Sequence, residues 1–236
     1  MAGLSARFTN QGYTLPKYML FAGNQSLFRI AVSSFSSQFA TAHFVFLYRN
    51  IFDTKAFVTA ECALLGIQKF TLIEIEKPTK GQAETVKIGI DYLLQKGIED
   101  EMMVFNADTA KKSFVVPTFI KNTDGYLEVF EGEGEHWSFV APMDNEDNRV
   151  ARTTEKVRIS NLCSNGLYHF KTMQLFVEAY DKSFNGIVHT GEYYIAPMYN
   201  VLIAQGKTIH YLVQPKSQML LFGTPVEYIQ FVKSVI

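Results

Sequence analysis

Cysteine is scarce in this chain: Cys62 and Cys163 are the only two in 236 residues. They lie far apart and lack metal-ligand spacing, which excludes a disulfide framework and a cysteine-rich metal site. No apolar run approaches the ~20 residues that cross a bilayer, and the first residues carry no signal-peptide pattern. A reduced, cytoplasmic protein with two inert core thiols and no membrane attachment is therefore expected. Neither charge sign is in excess, with 22 Lys+Arg against 23 Asp+Glu, so there is no basic footprint for nucleic acid. The five histidines, His43, His136, His169, His189 and His210, have no partners at ligand or triad spacing. They read as structural, and no Ser-His or Cys-His pair offers a nucleophile.

What is present is a globular chain, 47% hydrophobic and 19% charged, able to bury a substantial core as one large domain. Its most distinctive stretch runs from Met1 to Leu20. Small residues at Ala2, Gly3, Ser5 and Ala6 let the backbone turn tightly and approach a ligand closely. Such a turn aims successive N–H groups at an anion. Arg7 and Lys17 add two cations, and Pro16 stiffens the backbone just ahead of Lys17.

This stretch resembles the signature loop of the nucleotide-sugar pyrophosphorylase family of nucleotidyltransferases, written roughly G-x-G-x-R, a spacer, then P-K. Gly3, Arg7, Pro16 and Lys17 are in register, and Ser5 replaces the second glycine. Family members carry a short apolar strand before this loop. Here the chain starts inside the motif, so that strand is expected to be absent or replaced by another segment.

Further on, helical and extended patterns alternate. Ser26–Ser37 reads as a helix, His43–Tyr48 as a strand buried on both faces, and Thr54–Leu65 as a helix with Asp53 as N-cap and Gly66 as stop. Phe70–Ile75 is the next strand, and a helix follows Lys77–Val86 as far as about Lys96. Alternation of this kind predicts an α/β fold with a mostly parallel, Rossmann-like sheet flanked by helices. The resemblance implies the same GT-A type of sheet. Glu101–Thr109 reads as a strand ending at Asp108, where ligands of open α/β sheets bind. A hard oxygen ligand there suits Mg²⁺, although an acid after a strand is often only a turn former.

After Lys111 the pattern changes. Tyr126–Phe130, Glu135–Pro142 and Arg149–Thr154 alternate apolar and polar residues between Gly- and Asn-rich turns, which predicts β-hairpins. The expected organisation is a single domain, 1–236, with a core of 1–120 and 155–236 and a β-rich lid at about 121–154. Thr208–Val213 is read as a strand, and Gly223-Thr-Pro-Val-Glu227 opens a last helix with Pro225 in its first turn.

The resemblance implies roles for particular residues. Arg7, Lys17 and Lys156 are the expected catalytic cations. Ala2, Gly3, Leu4, Ser5, Gly81 and Gln82 are expected to bind the nucleotide, with the Gln82 amide able to read a pyrimidine edge. Glu155, Lys156, Gly166 and Glu192 are expected at the acceptor, and Asp108 at the metal. Relatives often carry a second metal aspartate in a pattern like E-I-T-D, where this chain has Ile195-Ala196-Pro197. The implied reaction joins a nucleoside triphosphate to a phosphorylated acceptor and releases pyrophosphate. The wording M-A-G-L-S-x-R-F, Y-T-L-P-K-Y-M-L and E-Y-Y-I-A-P-M-Y-N is similar to a capsule-biosynthesis branch with cytidylyltransferases, one acting on phosphorylated glutamine, which favours CTP. Related enzymes commonly pair as homodimers. The competing readings are a sugar-1-phosphate uridylyl- or thymidylyltransferase, an inactive nucleotide-binding module, and a glycosyltransferase of related fold. The last would need a D-x-D, and Asn106-Ala107-Asp108 supplies one acid.

Overall fold

The apolar runs Phe44–Tyr48 and Phe70–Glu74 pair in parallel, Phe44 opposite Phe70 through Tyr48 opposite Glu74. A parallel pair needs a crossover, and the helix Thr54–Leu65 supplies it. These features come from a computed structural model, which describes residues 1, 3, 5–184 and 191–235. The chain forms two compact units: Met1–Pro78 with Asn106–Val115 and Ser217–Ile236, and Thr79–Phe105 with Val116–Lys216.

In the first unit, Gly66 ends the crossover helix as expected. Its φ of +73° is left-handed, and the N–H groups of Gly66 and Ile67 return to the carbonyls of Ala63 and Cys62, closing the helix end. The other end differs from expectation. Asp53 has a left-handed φ of +54° and its side chain caps nothing, because capping through the side chain requires extended backbone at that position. Tyr18, Met19, Phe28, Val58, Cys62 and Ile67 form the core under this pair of strands. The helix expected over Ser26–Ser37 closes early, at Leu27–Ser33, and gives way to a 3₁₀ turn at Ser36–Gln38. Ser26 caps its start, accepting from the Arg29 N–H at 3.0 Å, and at its far end the Ser34 hydroxyl accepts from the distant Lys111 N–H at 2.8 Å.

The strand expected over Glu101–Thr109 is two strands. Met102–Val104 pairs with Leu162–Phe170, while Thr109–Lys111 pairs antiparallel with Met219–Leu221. Asp108 sits in the turn before the second of these. The closing helix, Pro225–Val235, begins at Pro225 as expected. Thr224 and Glu227 form a reciprocal capping box: the Thr224 N–H donates to Glu227 Oε2 at 2.9 Å and the Glu227 N–H to Thr224 Oγ1 at 3.3 Å.

The second unit is built on a mixed sheet in the order Ile209–Val213, Gly125–Glu131, Leu162–Phe170, Ser138–Pro142, Val150–Glu155, with Met102–Val104 also paired to Leu162–Phe170. Ile209–Val213 and Gly125–Glu131 run parallel; the other pairs are antiparallel. Ser138–Pro142 and Val150–Glu155 form the hairpin that alternation predicts. Gly125–Glu131 does not join it. Six of its seven residues are buried, so it takes an interior place between Leu162–Phe170 and Ile209–Val213. The α/β class holds, with a sheet of mixed direction.

Helices Gln82–Gln95, Met173–Phe184 and Tyr199–Ala204 pack in sequence beside this sheet. Tyr199 ties the last of them down: its hydroxyl donates to the His169 carbonyl at 2.7 Å, and its ring stacks on Phe170 at 4.7 Å. The helix Met173–Phe184 was not expected. Its buried Met173, Phe176, Tyr180 and Phe184 recur at helical spacing, so the sequence did carry the signal. Among the described residues, no helix is long and apolar enough to cross a membrane.

Candidate active site

The stretch of small residues lies in the first unit. Ser5 has a φ of +51° and ψ of +30°, a left-handed conformation that glycine takes freely, which explains why a glycine can stand at this position in the signature loop. A short helix, Ala6–Thr9, follows. It is anchored by Phe8, 1% exposed, whose ring meets Tyr13 at 5.3 Å and Tyr228 at 6.1 Å. Each such aromatic pair is worth about 0.5–1.5 kcal/mol beyond burial, so the loop is held from below while Arg7 stays exposed. Among the described residues, a Cβ on Gly3 would meet nothing within 4 Å. Ala2 and Leu4 lie outside the described residues.

Lys17 opens a 3₁₀ turn, Lys17–Met19, directly after Pro16. The next two side chains, Tyr18 and Met19, are buried, and the Tyr18 hydroxyl bonds Thr54 Oγ1 at 2.8 Å. This fixes the backbone from which the lysine projects. Its ammonium donates to Asp108 Oδ2, and both side chains stay about one-quarter exposed. Ser5, Ala6, Arg7, Phe8, Lys17, Asp108 and Gly223 line one concavity of about 310 Å³. Gly223 was not anticipated. Its ideal Cβ would lie 3.3 Å from Asp108 Oδ2, so glycine keeps room beside the carboxylate.

A divalent ion suits this concavity in a limited way. Among the described residues no three His, Cys, Asp or Glu side chains converge. Asp108 is one hard ligand, and Mg²⁺ is commonly held by one or two carboxylates plus substrate phosphates. The donor set fits a metal that arrives with a nucleotide. In the second unit, the segment Ile195-Ala196-Pro197, which lacks an acid, enters the 3₁₀ turn Ala196–Met198, with Ala196 and Met198 buried.

The remaining expected residues mostly gather in the second unit. Gly81 precedes the helix that Gln82 opens. Its φ is +154°, and an ideal Cβ would lie 2.5 Å from the Tyr193 nitrogen and 2.8 Å from Glu192 Cγ. Two backbone bonds explain this closeness: the Tyr193 N–H donates to the Lys80 carbonyl and the Ala83 N–H to the Tyr193 carbonyl, each at 2.9 Å.

Glu155 and Lys156 follow the hairpin. The Lys156 ammonium lies 4.0 Å from Glu155 Oε1, donates to the Tyr194 hydroxyl and sits 4.5 Å from that ring's centroid. The Tyr194 hydroxyl donates to Glu192 Oε2 at 2.6 Å. This tyrosine bond, with the nearby acids, holds the lysine pKa above its usual value. Burial, reinforced by Glu192, pushes the Glu155 carboxyl up, against the Ser138 hydroxyl bond that lowers it. Gly166 is elsewhere in this unit, buried in Leu162–Phe170 with a φ of +89°, at a shift of register between Ser164 and Tyr168. The sequence assigns Tyr193 and Tyr194 no role at the site.

Of the five histidines, His43, His136, His169 and His210 make packing or structural contacts. His169 also pairs with Glu101 at 2.5 Å. His189 lies outside the described residues.

Scans against family models and against curated proteins gave no match. Solved structures do match. The nucleoside-diphosphate-sugar pyrophosphorylase from Vibrio cholerae RC9 is 43% identical over 99% of this chain and 98% of that one, with a TM-score of 0.95. The inositol-1-phosphate CTP transferase from T. maritima is 12% identical over 99% and 92% of the two chains, with a TM-score of 0.70. A UDP-glucose pyrophosphorylase complexed with UDP-glucose is 16% identical over 98% and 94%, also at 0.70. The last two share the fold alone.

Proposed function

Because this chain belongs to the nucleoside-diphosphate-sugar pyrophosphorylase family of nucleotidyltransferases, we propose that it joins a pyrimidine nucleotide, CTP by preference, to a phosphorylated acceptor and releases pyrophosphate. The observation that carries this reading is the gathering of Ser5, Arg7, Lys17 and Asp108 around one concavity. Cations, turn amides and one carboxylate suit a reaction in which the protein supplies position and charge rather than a nucleophile.

An oxygen of the acceptor's phosphate attacks the α-phosphorus of the triphosphate. The new P–O bond forms as the bond to the β-phosphate bridge breaks, and pyrophosphate leaves. The loop amides at Gly3 and Ser5 cradle the triphosphate, together with Ala2 and Leu4. Arg7 steadies the departing pyrophosphate. Lys17 lets go of Asp108 to meet phosphate oxygens where charge develops. Asp108 would hold Mg²⁺, whose chemistry there is to neutralise phosphate charge. Gly81 and Gln82 contact the base, Lys156 receives the acceptor's phosphate, and Glu155, Glu192 and Gly166 contact its body.

CTP and an acceptor such as phosphoglutamine, in capsular or surface polysaccharide assembly, are favoured by the wording of the loop and of Glu192–Asn200. A UTP- or dTTP-using sugar-1-phosphate enzyme is the alternative, because the Gln82 amide can serve either pyrimidine edge. Pyrophosphate release separates them, measured for CTP, UTP, dTTP, ATP and GTP against phosphorylated sugars and amino acids. Turnover with CTP and a phosphorylated amino acid is expected. Turnover confined to UTP or dTTP with a sugar 1-phosphate would move the assignment to the alternative, and turnover confined to purine triphosphates would overturn both.

A further inference from the structure

Lys156 is a poor candidate for holding itself still. Its side chain is half exposed, its nearest carboxylate is 4.0 Å away, beyond hydrogen-bond reach, and a lysine stem is long and flexible. What it leans on is firmly built. Tyr194 follows Tyr193, whose N–H and carbonyl are both bonded to the 80–83 turn and whose ring stacks on Phe184 at 4.1 Å and 6°. The next residues, Ile195 and Ala196, are each 1% exposed. The tyrosine hydroxyl accepts from the Lys156 ammonium and donates to Glu192 Oε2 at 2.6 Å, and its ring centroid is 4.5 Å from the same ammonium.

We infer that Tyr194 is a positioning residue which, with Glu192 behind it, holds the Lys156 ammonium in place for the acceptor's phosphate. The inference rests on the reading of Lys156 as the phosphate-binding cation. The chemistry is economical in donors. An ammonium has three N–H groups; the tyrosine takes one, and two remain for phosphate oxygens. Tyrosine suits this better than a carboxylate would, because it fixes the ammonium without neutralising it.

The test uses the full chain and inorganic phosphate as probe, with binding followed through backbone amide shifts at Lys156 and Val157, so no turnover is needed. Tyr194→Phe keeps the ring and removes the hydroxyl. It is expected to raise the phosphate Kd about tenfold, as for a lost hydrogen bond to a charged group. In a Lys156→Ala background the same change should alter the remaining affinity by less than about twofold, because a residue that acts through Lys156 has nothing left to act on. A merely structural role would lower affinity equally in both backgrounds. Phosphate binding that is lost in Lys156→Ala but unchanged in Tyr194→Phe overturns this inference and leaves the reading of Lys156 standing. Phosphate that perturbs neither amide in the parent protein overturns both.

Discussion

Lys17→Ala and Asp108→Ala should each lower turnover at saturating substrates by about 10²-fold or more, with little change in melting temperature. The size follows from the role: removing one preorganised group from a developing charge typically costs 10²–10³ in kcat. The small effect on stability follows from exposure. Both side chains are about one-quarter exposed, and ion pairs in contact with solvent contribute only ~0–1 kcal/mol. The ammonium and carboxylate hold each other before substrate arrives, so each must exchange its partner when the triphosphate binds. The double variant should therefore be little worse than the poorer single one, since groups acting as a unit are far from additive. Steady-state kinetics beside thermal melts measure both quantities. Parental turnover in Asp108→Ala would remove the metal assignment.

Gly81→Ala should be strongly damaging to the second unit. An added Cβ would fall 2.5 Å from the Tyr193 nitrogen and 2.6 Å from its oxygen, and backbone atoms cannot swing aside as a side-chain tip can. The positive φ adds strain for any L-residue. Relief requires opening the two backbone bonds at Tyr193, each worth about 1 kcal/mol net. With the steric term, a loss of about 2–4 kcal/mol is expected, or roughly 5–15 °C in melting temperature for a chain of this size. Gln82 follows directly, so the KM for the triphosphate should rise as well. Gln82→Ala is the control: it should change the preference among triphosphates and leave the melting temperature near the parental value. An unaltered melting temperature in Gly81→Ala would mean that the 80–83 turn and Tyr193 are not held together.

A role held by one distinctive residue is legible in the sequence, and a relation between distant residues is not. The meeting of Arg7, Lys17 and Asp108 at one concavity was legible because each is a charged residue at a position that the resemblance marks. Helix Thr54–Leu65 was legible to its last residue because Gly66 punctuates it. The interior place of Gly125–Glu131 was hidden by its own alternation, since Glu128 looks like a solvent-facing residue and is fully buried. Asp53 had the right identity for a cap and the wrong backbone. Tyr193 and Tyr194 were illegible for a different reason: one acts through its main chain and the other through a hydroxyl 38 residues from its lysine. Neither relation leaves a local pattern, and only the folded chain reveals them.

The central claim is that the protein gathers two polyanions and adds no covalent step of its own. The most direct measurement is the stereochemical course at the α-phosphorus, using a chiral α-thio triphosphate and the accepted phosphorylated acceptor. A single in-line displacement inverts the configuration, and inversion is the result expected here. Retention would mean two displacements through a nucleotidyl-protein intermediate, and would contradict the account.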